Sequence, residues 1–159
     1  MATRIIKHDN GNLIEWGWAQ EHQMLKTLKF TSCFFVDGIL IDSTAPDGTD
    51  EFREFIKSIL SREPIEKCIL THYHEDHTGA ASILWPEFSI PVYCNKKSLP
   101  MLQKRFTYRE FRKLLWGEEN PIVPAHPLTE EKIISRSGRY EFEVFPMPGH
   151  SHDLIAYIE

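Results

Sequence analysis

The stretch ILTHYHEDHTGA at 69–80 packs three histidines and two acids into six residues, directly after an apolar run. So many titratable groups in one turn constrain everything else the chain can do. If the segment is extended, His72 and His74 point to one side, because side chains alternate with period two. Asp76 keeps the same parity, and His77 falls opposite or beyond a turn. Imidazole nitrogens and a carboxylate suit zinc, with iron or manganese as alternatives. Two histidines do not close a tetrahedral site, so a third ligand must come from elsewhere. PGHSHD at 148–153 offers His150 and His152. A chain that uses both segments must fold so that its middle and its tail grip one cation.

The rest of the sequence can support such a fold. Its 159 residues fit one domain spanning 1–159, long enough to bury a real core. With 42% hydrophobic and 26% charged residues it belongs to neither a disordered nor a fibrous class. A net charge of −5 speaks against a binder of the phosphate backbone, so no nucleic-acid partner is expected. The basic stretch KRFTYREFRK at 104–113 reads as a solvated helix face. Cys33, Cys68 and Cys94 form no CxxC pair, and Cys33 and Cys68, in apolar strand-like runs, read as buried free thiols. No signal-like segment opens the chain and no apolar run reaches membrane-spanning length, so neither a membrane partner nor secretion is expected and the expected compartment is the cytoplasm.

Periodicity gives an order of elements. TRIIKH, NLIEWGW, MLKTLKF and SCFFV read as strands, with NG at 10–11 and DG at 37–38 as hairpin turns. ILID at 39–42 is a short buried strand. Phe52, Phe55, Ile56, Ile59 and Leu60 make one helical stripe, capped by Thr49 or Asp50 and ended before Pro64. CIL at 68–70 and IPVYC at 90–94 are further strands, and GAASIL at 79–84 starts a short helix that Pro86 stops. Residues 97–116 read as two helical pieces broken near Pro100, with Tyr108, Phe111, Leu114 and Leu115 on one face. Residues 116–127 read as a Pro-rich loop. KIIS, YEFEVFP and LIAYI complete the strands. Strands first, then helix–strand alternation, then strands again, indicate an α+β fold of sheets with helices packed outside.

Taken in order, these motifs resemble the metallo-β-lactamase superfamily. THYHEDH with the following TGA is similar to its HxHxDH motif, ILIDS at 39–43 to its early strand ending in Asp, and PGHSHD to its GHS/T loop. The resemblance implies an αββα sandwich, of which this chain holds the first sheet with its helices and the start of the second. It implies a first metal on His72, His74 and His150, and a contribution from Asp76 and His77 to a second. Asp42 would stand behind the ligands as a carboxylate or serve only as a turn former. His152 is expected to be an exposed loop residue, and Asp153 to stabilise its loop. Family members run longer and supply later acidic and histidine ligands that are not matched here. The expectation is therefore the N-terminal part of a longer enzyme, with pairing to a second copy or another chain, or a naturally short member, as alternatives. The open second sheet would invite association.

The implied chemistry is hydrolysis of a small ester, thioester or lactone by a metal-activated water, with Asp76 as the catalytic carboxylate and one or two Zn²⁺ as cofactor. The alternatives are an iron-dependent sulfur dioxygenase of the same superfamily, and a non-catalytic metal-binding module. A small-molecule pocket could be walled by Phe106, Tyr108, Phe111, Trp116 and the Pro-rich loop. For Phe111 simple helix packing is the favoured reading, and for Trp116 the two are even. His126 is expected to be solvent-exposed.

Overall fold

Two tight hairpins start the sheet. A computed structural model of the chain describes residues 1–20 and 30–159; most of the MLKTLKF segment lies outside the described residues. Strands β1 (Ala2–His8) and β2 (Leu13–Ala19) pair antiparallel across the Asp9–Gly11 turn. β3 (Thr31–Val36) and β4 (Ile39–Ile41) are joined by Asp37 and Gly38 alone. Both turn residues have positive φ, 40° and 84°, as a two-residue hairpin that follows the strand twist requires.

From β4 onward the sheet turns parallel. β5 (Lys67–Ile69), β6 (Val92–Cys94) and β7 (Ala125–Pro127) follow in register. Spatial order equals chain order through all seven described strands. A second sheet stacks β10 (Ile155–Ile158), β9 (Glu141–Pro146) and β8 (Lys132–Ile134) as an antiparallel set.

Each face of the first sheet has its own cover. Trp16, Trp18, Phe35 and Leu40 pack against helix α1 (Thr49–Leu60) and its neighbours. Phe52, Phe55, Ile56 and Ile59 of α1 are buried there, each contributing roughly 1.5–3 kcal/mol of apolar burial. Phe52→Ala would cost about 3–5 kcal/mol through the cavity it leaves. The opposite face carries Val36, Ile39 and Ile69, which meet Ile133 and Phe142 of the second sheet. The strands therefore alternate between two apolar contacts, and central strands such as β4 read as unbroken hydrophobic runs. Among the described residues nothing covers the outer face of the second sheet, which mixes exposed Ile134, Phe145 and Ile158 with Lys132, Glu141 and Glu143. No helix among the described residues is long and apolar enough to cross a membrane.

Several local expectations need correction. Leu60 is exposed at the end of the α1 stripe, and no side chain caps the helix start; Thr49 Oγ1 instead donates to the Pro46 carbonyl at 2.6 Å. Pro86 does not stop a helix but lies in the first turn of α3 (Leu84–Phe88), where a missing N–H costs no helical bond. Pro100 likewise sits inside the first turn of α4 (Leu99–Leu102), and the break falls later, before α5 (Glu110–Trp116). Phe111 and Leu114 do not pack α5 onto the sheet; both are at least half exposed, whereas Trp116 is buried in the core. The Pro-rich loop contains β7, an edge strand whose Pro127 lies where a sheet tolerates proline. His126 on that strand is exposed, and the three cysteines are buried and free.

Candidate metal centre

The carboxyl ends of adjacent parallel strands are where open sheets gather functional groups. β4 leads into Asp42, β5 continues through Leu70 and Thr71 into His72, and β6 leads to Asn95. Within HYHEDH the chain bends at Tyr73 and is again extended at His74. Glu75–Thr78 then forms one helical turn, α2, so Asp76 and His77 leave the strand parity expected for Asp76. Gly79 follows because a Cβ there would lie 2.3 Å from the Pro46 backbone nitrogen.

His150 reaches this segment because the loop after β9 is tied to it by several bonds. The Tyr73 amide donates to Asp153 Oδ2 at 3.0 Å and Ser98 Oγ donates to the same oxygen at 2.6 Å. Ser151 Oγ donates to Asp153 Oδ1, and Asn95 Nδ2 to the Asp153 carbonyl at 2.9 Å. The Ile155 amide donates to the Thr71 carbonyl and Tyr157 Oη to that of Leu70, both at 2.9 Å. Asp153 is fully buried. Burial works against its charge, yet the hydroxyls of Ser151 and Ser98 and the Tyr73 amide hold its pKa below the usual carboxylate value. It fastens one loop to the other, as its expected structural role requires.

Three imidazoles meet as a result. His72 Nε2 lies 3.1 Å from His74 Nδ1, which lies 3.0 Å from His150 Nε2. All three ligand atoms fall within 4.8 Å of one another. Nitrogens about 2.0–2.1 Å from a tetrahedral zinc stand roughly 3.3 Å apart, so this spacing suits a shared cation. The tautomer of His72 follows from its neighbour. Thr71 Oγ1 lies 2.8 Å from Asp42 Oδ2 and 3.0 Å from His72 Nδ1. An ionised carboxylate only accepts, so the single hydroxyl proton goes to Asp42 and the oxygen accepts Nδ1–H. That leaves the Nε2 lone pair of His72 facing the other two rings, the arrangement metal-binding histidines show. Burial first, then the charge of His77, push the pKa of His72 down to about 4. Burial and the Arg112 guanidinium do the same to His74. Both rings are thus held neutral, the form that ligates.

Asp42, Asp76 and His77 stand beside this triad. Asp42 takes φ of 61°, a left-handed conformation that aspartate tolerates better than most residues. Its carboxylate accepts from the Thr71 amide at 2.7 Å and from His77 Nδ1 at 2.9 Å, besides Thr71 Oγ1. Burial opposes a charged His77, but the Asp42 carboxylate and its hydrogen bond, with Asp76 and Glu75, raise its pKa to about 9. Asp76 Oδ2 is 3.8 Å from His77 Nε2, and its Oδ1 accepts from Arg112 Nη2 at 3.1 Å. Arg112 Nε also donates to the buried Glu75 carboxylate, whose pKa burial pushes up. His152 is exposed, with its ring 5.9 Å from that of Tyr73.

The roles of Thr71 and Arg112 had no sequence signal. Thr71 merely precedes the histidine motif, and Arg112 lies within the basic stretch taken for a solvated helix face.

A family profile described as the metallo-beta-lactamase superfamily matches residues 27–158. A ribonuclease J from Sinorhizobium meliloti is 37% identical over 51 residues, 32% of this chain and 9% of that protein. A hydroxyacylglutathione hydrolase from Nitrosomonas eutropha is 34% identical over 92 residues, 56% of this chain and 27% of that protein. The solved metallo-beta-lactamase from Pontibacter korlensis superposes with a TM-score of 0.67 at 19% identity, covering 97% of this chain and 65% of that one. The chain therefore spans less than two thirds of the length of these relatives.

Proposed function

The chain belongs to the metallo-beta-lactamase superfamily, and from that premise we propose that it works as a metal-dependent hydrolase of a small ester, thioester or lactone, with zinc as the ion. The observation that carries this reading is the His72–His74–His150 triad, with ligand atoms inside 4.8 Å. A similar hydroxyacylglutathione hydrolase supports a thioester or ester bond as target. The similarity to a ribonuclease J extends over only 51 residues, and a net charge of −5 favours a small substrate over a polynucleotide.

His72, His74 and His150 would hold the first ion. When bound, zinc lowers the pKa of a water toward about 7 and polarises the scissile carbonyl. Thr71 and Asp42 fix the His72 ring, so its Nε2 lone pair is aimed before any ion arrives. Asp76 projects its carboxylate from the next turn and serves to orient the attacking water or take its proton. Arg112 positions that carboxylate through its 3.1 Å hydrogen bond to Oδ1. Asp76 and His77 would contribute to a second ion.

The test is hydrolysis of p-nitrophenyl acetate, a simple thioester and a lactone by the zinc-loaded chain, beside His72→Ala. Turnover that needs His72 and stoichiometric zinc supports the reading. Zinc bound at one equivalent per chain with no turnover on any of the three would reject a hydrolytic role. Iron as the bound metal, with oxygen uptake, would reject zinc chemistry.

A further inference from the structure

The basic stretch at 104–113 does more than solvate a helix. Its residues wall a pocket of about 340 Å³ that includes His74. The space equals roughly eleven waters' worth of liquid volume, enough for a small organic group. Tyr73 and Phe106 meet edge to face with ring centres 6.0 Å apart, and Phe106 meets Tyr108 in the same way at 6.2 Å. Tyr108 is fixed in turn, its hydroxyl donating to the Gly117 carbonyl at 2.7 Å. Phe111 extends this aromatic wall while 59% exposed, an apolar surface with no cover among the described residues.

The charges lining the pocket do not cancel. Arg112 is spent on Glu75 and Asp76. Arg109 also lines the pocket, and while its carbonyl accepts from the Arg112 and Lys113 amides, its guanidinium has no hydrogen-bond or ion-pair partner among the described residues. Glu75 is the pocket's one acidic lining residue, and Arg112 already holds it. Between the guanidinium and carboxylate groups of the lining, one net positive charge remains, on Arg109. An occupant that satisfies both features has an apolar, preferably aromatic, body and a carboxylate at its outer end.

We propose that residues 104–113 form the substrate-selecting wall of the metal centre, and that the substrate is an acyl donor whose non-reacting flank carries a carboxylate seated on Arg109. This assignment rests on the hydrolase reading for its reaction and on the pocket for its ligand. Arg109 recognises the anion, and Phe106 and Phe111 cover the apolar body.

The experiment uses probes without a scissile bond. Calorimetric titration compares 3-phenylpropionate with its uncharged amide, 3-phenylpropanamide, on the full chain before and after chelator treatment. The acid is expected to bind at least tenfold more tightly than the amide in both states. Arg109→Ala should abolish that ratio and leave the amide's affinity intact, while Arg109→Lys restores part of it. Phe106→Ala should weaken acid and amide together, with circular dichroism confirming the folded state. Equal affinities, a ratio that survives Arg109→Ala, no binding of either probe, or acid binding that disappears with the chelated ion would each overturn the assignment. Because the probes are not hydrolysed, an inactive chain that still prefers the acid sinks only the hydrolase reading. An active chain without that preference sinks only this one.

Discussion

The imidazole triad and the acidic shoulder beside it share residues 72–77 but satisfy their polar atoms differently. In the triad, the Nδ1 of His74 lies 3.0–3.1 Å from the Nε2 atoms of His72 and His150, with the His72 and His74 rings held neutral chiefly by burial. In the shoulder every carboxylate already has a donor: Thr71 and His77 for Asp42, Arg112 for Asp76 and Glu75. Converging lone pairs are best relieved by a cation. A set of closed ion pairs needs none, and an ion entering there must displace Arg112 and remove a proton from His77. The first position is thus prepared by the fold, while the proposed second would have to compete with it.

Breaking the triad should have the largest effect. His72→Ala and His150→Ala are each expected to lower affinity for the first zinc by more than about a hundredfold, since a structural ligand and not a supporting contact is lost. Competition with a chromophoric chelator measures this, and loss with only one of the two variants would dissolve the triad. Next comes the tie between the loops. Asp153→Ala strands the Tyr73 amide and two serine hydroxyls, and at roughly 1–3 kcal/mol per unsatisfied buried group it should cost about 3 kcal/mol or more of stability. Urea unfolding of the metal-free chain reads that loss, and an unchanged midpoint would mean the loops dock without it.

Smaller effects separate the two regions further. Thr71→Val keeps every ligand but frees the His72 ring, so zinc affinity should fall about tenfold to a hundredfold with little change in unfolding midpoint. Arg112→Met opens the shoulder instead. It should leave the first equivalent of zinc within about twofold and tighten the second by about threefold to tenfold, a modest gain because the Arg112–Asp76 pair is partly solvated. If the second equivalent binds no better, the shoulder's weakness lies elsewhere than in this ion pair.

How much of this was legible in the sequence follows the range of each interaction. HxHxDH, the two turn dipeptides and the α1 stripe are written in neighbouring residues, and the hairpins and buried helix face followed from them. The pairing of His74 with His150 was legible in two steps: chemistry demanded a third ligand and left His150 or His152, and the resemblance of PGHSHD to the family's GHS/T loop chose His150. Arg112 could not be read, since its partners lie 36 and 37 positions away and one basic residue in a charged helix looks like another. The prolines misled for a related reason. Pro86 and Pro100 were read as breaks when both occupy first-turn positions, where only the observed helix start reveals that the ring is harmless. β7 was hidden because an edge strand flanked by prolines carries no alternation to detect.

Seven strands that neighbour in space as they follow in sequence have a consequence for biogenesis. As a ribosome extrudes the chain, each new strand can dock on the one just made, so the large sheet is able to assemble vectorially. His150, however, lies 76 residues downstream of His74 and arrives with the small sheet. Ion capture by all three imidazoles therefore waits for the small sheet, and an occupied centre certifies that both sheets have already met.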